Sequence, residues 1–400
     1  MILYVQRRIS VAVCLCCFAV FLYLAFFFLR GDYADISALA TSLRGKGWNV
    51  STVKDSDMPP SRCLVVASTA EQDTTWVETQ LGSEPGLSAR VYIVDDASSK
   101  FSVPLNKGHE AMVYLTYIID EYDDLSEITL FVHAHQFSWH NNDLLNRDMV
   151  EMVRRLVSDY VIRNRYVNLR CHHNPGCPSH IFPHEPILDP EYPEIAVMGL
   201  AWTELFPGEV VPDSVAQPCC AQMAVSREAI LALPRQRYVD LRDWLLETTL
   251  DDGLSGRVFE YTWQYIWGQK YEYCPLQSVC YCDGYGLCFG GEEQYASYNT
   301  IRQIAENMDK TLKMRAFGRV PGNDGDSSRD TLLKSKESIE AQLESWRASA
   351  VMRGTDPRNR AFEAGRPWTA SEAYWVAHLC CGLLSMSIVE IGTDHGLEIL

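Results

Sequence analysis

Residues 106–140, NKGHEAMVYLTYIIDEYDDLSEITLFVHAHQFSWH, pass from loop to helix to strand and carry most of the chain's candidate chemistry. Met112, Leu115, Ile119 and Tyr122 recur at spacings of three and four, which predicts a helix with one buried face. That helix runs into an acidic knot of Asp120, Glu121, Asp123, Asp124 and Glu127. Carboxylates there meet the negative end of the helix dipole, a local cost tolerated more often where the charges have a task. Residues 128–132, apolar and rich in β-formers, predict a buried strand. His133 and His135 stand at its end, two apart and therefore on one face, with His140 close behind.

Outward from this stretch the same alternation continues. Residues 63–67 predict a strand, 76–80 the start of a helix, and 91–94 a second strand ending in Asp95-Asp96-Ala97-Ser98. This order predicts an α/β fold with a doubly wound, mostly parallel sheet. Ligands of such sheets sit at the carboxyl ends of the strands, where Asp95, Asp96, His133 and His135 fall. Residues 147–170 predict one long helix or two, with Arg154 and Arg165 three turns apart on a shared face. That face is either solvated or a small phosphate-binding patch. Residues 171–193, rich in Pro, His and Cys, predict an irregular loop, and 195–202 another strand. Residues 218–225 predict a strand leading into a helix capped by Ser226. An aromatic helix over 257–267 repeats Phe259, Trp263 and Trp267, a stripe that reads as core. Beyond residue 299 come a charged helix (301–315), a Gly/Asp/Ser linker (322–328) and an amphipathic helix (332–351). An apolar segment (373–389) follows, short for a spanning helix and suited to packing or to lying on a membrane.

The chain has 400 residues, and a hydrophobic fraction of 47% suffices for a large core. A net charge of −17 excludes a general nucleic-acid-coating protein, though not a local basic patch. Residues 11–29 are continuously apolar and long enough to cross a membrane, and no small-residue cleavage site follows, so they predict a transmembrane signal anchor. Arg7, Arg8 and the amino terminus on one side, against Arg30, Asp32 and Asp35 on the other, give a small bias of the bulk of the chain toward a lumen. Asn49 heads a glycosylation sequon. The expected organisation is a cytosolic tip and anchor (1–30), a stem (31–61), an α/β catalytic domain (62–298) and a helical C-terminal extension (299–400). Of the 14 cysteines, Cys14, Cys16 and Cys17 lie in the N-terminal apolar segment; the remainder form no tight CxxC pairs or zinc-finger spacing and predict a mixture of thiols and disulfides, with little left for a metal.

Three constellations can carry chemistry. Asp123, Asp124 and Glu127 can raise one another's pKa, chelate a cation or grip a guanidinium, or can simply form a solvated acidic turn. His133 and His135 suit a metal or a proton-transfer pair, or can be core histidines. Asp95-Asp96 is similar to the acidic pair with which glycosyltransferases hold a metal and a diphosphate. No GxSxG elbow, Walker loop or GxGxxG fingerprint is present, so serine hydrolysis and dinucleotide redox chemistry fit poorly.

The block NKGHEAMVYLTYIIDEYDDLSEITLFVHAHQFSWHNN, with PCCAQMAVSREAI and RVFEYTWQYIWG downstream, resembles a group of fungal proteins long filed as a domain of unknown function. Within that group it is similar to the fungal arginine-containing cyclodipeptide synthases, whose DDxxE signature matches Asp123, Asp124 and Glu127. The resemblance covers residues 62–298 and implies a sheet of the glycosyltransferase (GT-A-like) type. It further implies an aminoacyltransferase that needs no cofactor. Arginyl-tRNA and a second amino acid or aminoacyl-tRNA would become cyclo-Arg-Xaa for downstream tailoring enzymes. The DDxxE triplet would then serve catalysis or arginine binding. Proton transfer or substrate binding would fall to His133, His135, His140, Asp95, Asp96, Lys107 and Glu110, and tRNA phosphates to Arg154 and Arg165. Aminoacyl-tRNA is cytosolic, however, whereas the charge bias points into a lumen. Two alternatives therefore stand: a lumenal type II membrane glycosyltransferase using a nucleotide sugar and a divalent metal, and a membrane-tethered non-enzymatic binding protein.

Overall fold

Alternation along short central strands divides the core in two. The computed structural model describes residues 59–316 and 326–368. The expected anchor at 11–29, Asn49, most of the stem and the apolar segment 373–389 lie outside the described residues. Among the described residues no helix is long and apolar enough to cross a membrane.

β1 (Arg62–Ser68), α1 (Thr75–Leu81) and β2 (Leu87–Ile93) form the first βαβ unit, followed by α2 (Glu110–Asp120) and β3 (Ile128–His133). α3 (Met149–Arg155) and α4 (Ser158–Asn164) lead to β4 (Tyr166–Asn168). α5 (Glu194–Leu205), β5 (Met223–Ser226), α6 (Arg227–Leu231), α7 (Arg235–Glu247), α8 (Asp252–Glu260) and α9 (Trp263–Gly268) complete the central region. The five strands lie in the order β2-β1-β3-β5-β4. β1 pairs in parallel with both β2 and β3, whereas β5 runs antiparallel to β3 and β4. The sheet is thus mixed rather than mostly parallel on its β5 side. The chain can cross back there because β5 is only four residues long and turns directly into α6 under the Ser226 cap, whose hydroxyl accepts from Ala229 N at 3.2 Å.

Val65, Phe131, Met223 and Val225 face one layer with α2; Leu64, Val66, Leu130, Val132 and Ala224 face the other with α3. α2 departs from the expectation of one buried face. Ala111 to Ile119 are all buried, because α7 and α8 cover the side turned away from the sheet.

Three other expectations change. Residues 195–202 belong to α5, a helix: Met198, Ala201, Trp202 and Leu205 have helical spacing, and a short apolar run does not by itself distinguish helix from strand. Residues 147–170 break at Leu156-Val157 into two short helices and end in β4, so Arg154 and Arg165 share no helical face. The aromatic helix breaks between Glu260 and Trp263, although Phe259, Trp263 and Trp267 are core as expected.

α10 (Glu292–Ala316), α11 (Asp326–Gly354) and α12 (Pro357–Glu363) form the helical C-terminal region. Tyr295, Tyr298 and Leu343 join the second core layer, and Arg347 donates to Leu144 O at 3.1 Å and pairs with Glu151 at 3.1 Å.

Candidate active site

A chain that builds β2 on one side of β1 and then β3 on the other leaves a crevice at the carboxyl ends of β1 and β3. A cavity of about 410 Å³ lies there. Ser68 and Thr69 after β1, Val94 after β2, and His133, Ala134 and His135 after β3 line one side. His109, Glu110, His140 and Asp252 line the rest.

Two histidines and a carboxyl form a partly buried line through this wall. His133 Nδ1 and His140 Nδ1 are 3.1 Å apart, one necessarily donor and the other acceptor. On its other edge, His133 Nε2 faces Glu110 Oε2 at 3.9 Å. Burial, and then the neighbouring His140, hold His133 down at about 3; burial and Arg170 hold His140 at about 4. Burial also pushes the Glu110 carboxyl up to about 8, with Glu260 and Asp252 adding to the effect. At neutral pH all three groups are therefore uncharged, and Glu110 retains a proton that it can give away.

The backbone holds this line in place. His133 N donates to Gln222 Oε1 at 3.1 Å, and Gln222 Nε2 donates to Asn141 Oδ1 at 3.0 Å. Gln222 leaves a turn closed by the Cys219–Cys220 disulfide, in which Cys220 and Ala221 have φ of 86° and 44°. Glu110 opens α2, and Asp252 opens α8, so two helix N-termini meet at the cavity. Their positive ends suit an anionic ligand.

The other candidate residues are distributed as follows. His135 joins the cavity rim, 3.3 Å from Gln72 Nε2. Lys107 does not enter the site: its ammonium donates to Leu246 O at 3.3 Å and Thr248 O at 2.5 Å, at the C-terminus of α7. Asp95 accepts from Ala70 N at 2.8 Å, and Asp96 from Ser98 N at 2.9 Å and Ser98 Oγ at 2.6 Å. Asp95 Oδ1 is thus engaged by the loop after β1 and Asp96 Oδ1 by its own loop, and neither residue lines the cavity. Among the described residues, the only clusters of three metal-ligating groups contain disulfide sulfurs. Arg154 pairs with Glu84 at 2.5 Å and Arg165 with Glu228 at 3.4 Å, and the two arginines stand on different elements.

Asp123, Asp124 and Glu127 lie at the other end of the sheet, before β3 rather than after it. Six strand residues at ~3.3 Å each separate them from the cavity. Asp123 and Asp124 are exposed. Glu127 is a latch: its carboxylate accepts from Ser61 N at 2.9 Å, while its own N–H donates to Ser61 Oγ at 3.0 Å. The cost of carboxylates at the end of α2 is offset by cations, with Arg235 Nε donating to Ile119 O at 2.8 Å and Arg90 pairing with Glu121 at 3.7 Å.

His109 and Asp252 escaped the sequence reading, as did Gln222.

Cys171–Cys280, Cys177–Cys274, Cys219–Cys220 and Cys282–Cys288 form four disulfides, and Cys63 is a buried thiol.

Residues 64–283, more than half of the chain, match the family model described as a protein of unknown function (DUF3431). The chain belongs to that family. No curated protein and no solved structure matches it.

Proposed function

We propose that this member of the DUF3431 family is a lumenal glycosyltransferase, moving a sugar from a nucleotide-sugar donor to an acceptor hydroxyl in the cavity beside β1 and β3. The observation that carries this reading is the Glu110–His133–His140 line at the switch point of the sheet. Two helix N-termini suit the donor's diphosphate, and protonated Glu110 suits the leaving phosphate oxygen, to which it would supply its proton directly or through His133. His140 would exchange that proton onward. A strand order in which the last-formed inner strand runs antiparallel is compatible with the glycosyltransferase-type sheet that the resemblance implies.

The four disulfides favour an oxidising compartment, and hence a lumenal donor over cytosolic aminoacyl-tRNA. A divalent metal is not assigned a step, because neither Asp95 nor Asp96 lines the cavity.

A second reading, synthesis of an arginine-containing cyclic dipeptide, keeps one observation in its favour. Asp123 and Asp124 are exposed and next to each other, as a guanidinium-gripping pair must be. One experiment separates the two. The full chain, expressed through the secretory pathway of a eukaryotic host, is incubated with a panel of nucleotide sugars with and without manganese, and host extracts are searched by mass spectrometry for arginine diketopiperazines. Release of nucleoside diphosphate that is lost in Glu110→Gln supports the glycosyltransferase. A diketopiperazine lost in Asp123→Ala, with no sugar turnover, overturns it in favour of the synthase.

A further inference from the structure

Next to the buried line, where His109 directly precedes Glu110, a second pair of titratable residues is fixed by an unusual backbone. His109 has φ 50° and ψ −130°, a conformation that is strained for a non-glycine residue. Packing holds it there. Gly108, at φ 74°, has no room for a Cβ because the Leu245 side chain fills the space. Gly256 lets α8 approach so closely that a Cβ on it would stand 3.1 Å from Gly108 O. Asp252 then grips His109 twice: Oδ1 accepts from the backbone N–H at 3.2 Å, and Oδ2 meets the ring Nε2 at 3.3 Å. Both side chains are about half exposed, at 54% and 53%, and both line the cavity. A carboxylate on Nε2 fixes the proton there and leaves the Nδ1 lone pair as the basic site.

We infer that His109 is the catalytic base that activates the acceptor and that Asp252 is its positioning residue. The inference rests on the glycosyltransferase reading of the cavity. In the step, His109 Nδ1 takes the proton of the acceptor hydroxyl as that oxygen bonds to the donor's anomeric carbon. The bond from that carbon to the phosphate oxygen breaks, and its electron pair leaves with the nucleoside diphosphate. Asp252 stabilises the imidazolium that forms. This arrangement explains why the strained turn is held from two sides: a strained, over-determined residue belongs where its side chain must be aimed. It also divides the labour in the cavity, with the buried acid serving the leaving group and the exposed base serving the incoming one.

The test uses the full chain with the nucleotide sugar it turns over, comparing transfer to acceptor with hydrolysis of the donor. His109→Ala is expected to lower kcat for transfer ~100-fold or more while the KM for donor stays within about twofold, and added imidazole is expected to restore part of the rate. Asp252→Asn is expected to lower kcat about tenfold, and nitrogen-15 spectra should show that the His109 ring no longer holds a single tautomer. Transfer by His109→Ala within about threefold of the parent protein, or a loss of rate that imidazole does not restore, overturns the assignment. A parent chain that turns over no sugar donor overturns the glycosyltransferase reading along with it. An active parent with an unaffected His109→Ala overturns only the base.

Discussion

The Glu110 carboxyl and the His133 imidazole face each other across 3.9 Å, and burial drives both to their uncharged forms. They do not form an ion pair at neutral pH, since a charged His133 would need to be held well above its value of about 3. Each nevertheless makes its own demand on the stability of the fold, and the two demands have opposite signs.

For Glu110, the folded pKa of about 8 lies above the ordinary 4.5. The unfolded chain therefore gives up its proton first, and the fold loses stability as pH rises from about 4.5 to about 8. Glu110→Gln removes this loss. Urea unfolding should show the variant gaining on the parent between pH 5 and pH 8.5, by on the order of 1–4 kcal/mol. A constant difference across that range would show that the carboxyl is not held protonated.

The histidines act from the acid side. With folded values of about 3 for His133 and about 4 for His140, against 6.5 unfolded, the unfolded chain binds protons first as pH falls. Stability is lost below about 6.5 and continues to fall toward 3. Melting temperatures measured at pH 7 and pH 5 should differ more for the parent than for His133→Gln.

The acidic triplet should separate by role. Glu127→Ala breaks a reciprocal bond to Ser61 that ties the start of β1 to the start of β3. Unfolding free energy should fall by about 1–2 kcal/mol. Asp123→Ala and Asp124→Ala, both exposed, should stay within about 0.5 kcal/mol of the parent. Loss of product with full stability in either Asp variant would move the reaction to that end of the sheet.

Cys171–Cys280 spans 109 residues and Cys177–Cys274 spans 97, each pinning the irregular loop after β4 to the segment after α9. Replacing either pair by serines should lower stability by about 2–5 kcal/mol. Expression in a reducing host, which removes all four disulfides, should give a larger deficit, visible as a further lowered urea midpoint.

Local periodicity was enough for β1, β2, β3, α2 and the Ser226 cap, because each is specified by residues within one or two turns of itself. It also placed His133, Glu110 and the acidic triplet correctly, whereas His135, expected along the strand with His133, lies two residues beyond the end of β3. It failed for α5, where a short buried run reads equally as helix or strand until its neighbours are known. The break at Leu156-Val157 also escaped it, and that break separates Arg154 from Arg165.

What the sequence alone determined is therefore the alternation of elements and the types of residue at their ends. Which ends meet was decided only by the tertiary structure. β3 pairs with β1 and not β2, and this opens the cavity at one end of the sheet and leaves Asp123 and Asp124 at the other. His109 and Asp252 are separated by 143 residues and meet because Gly256 lets α8 close onto the turn before α2, while Gly108 makes room there for Leu245 of α7. Contacts of this kind depend on packing between layers, for which a linear pattern of polar and apolar residues carries no signal.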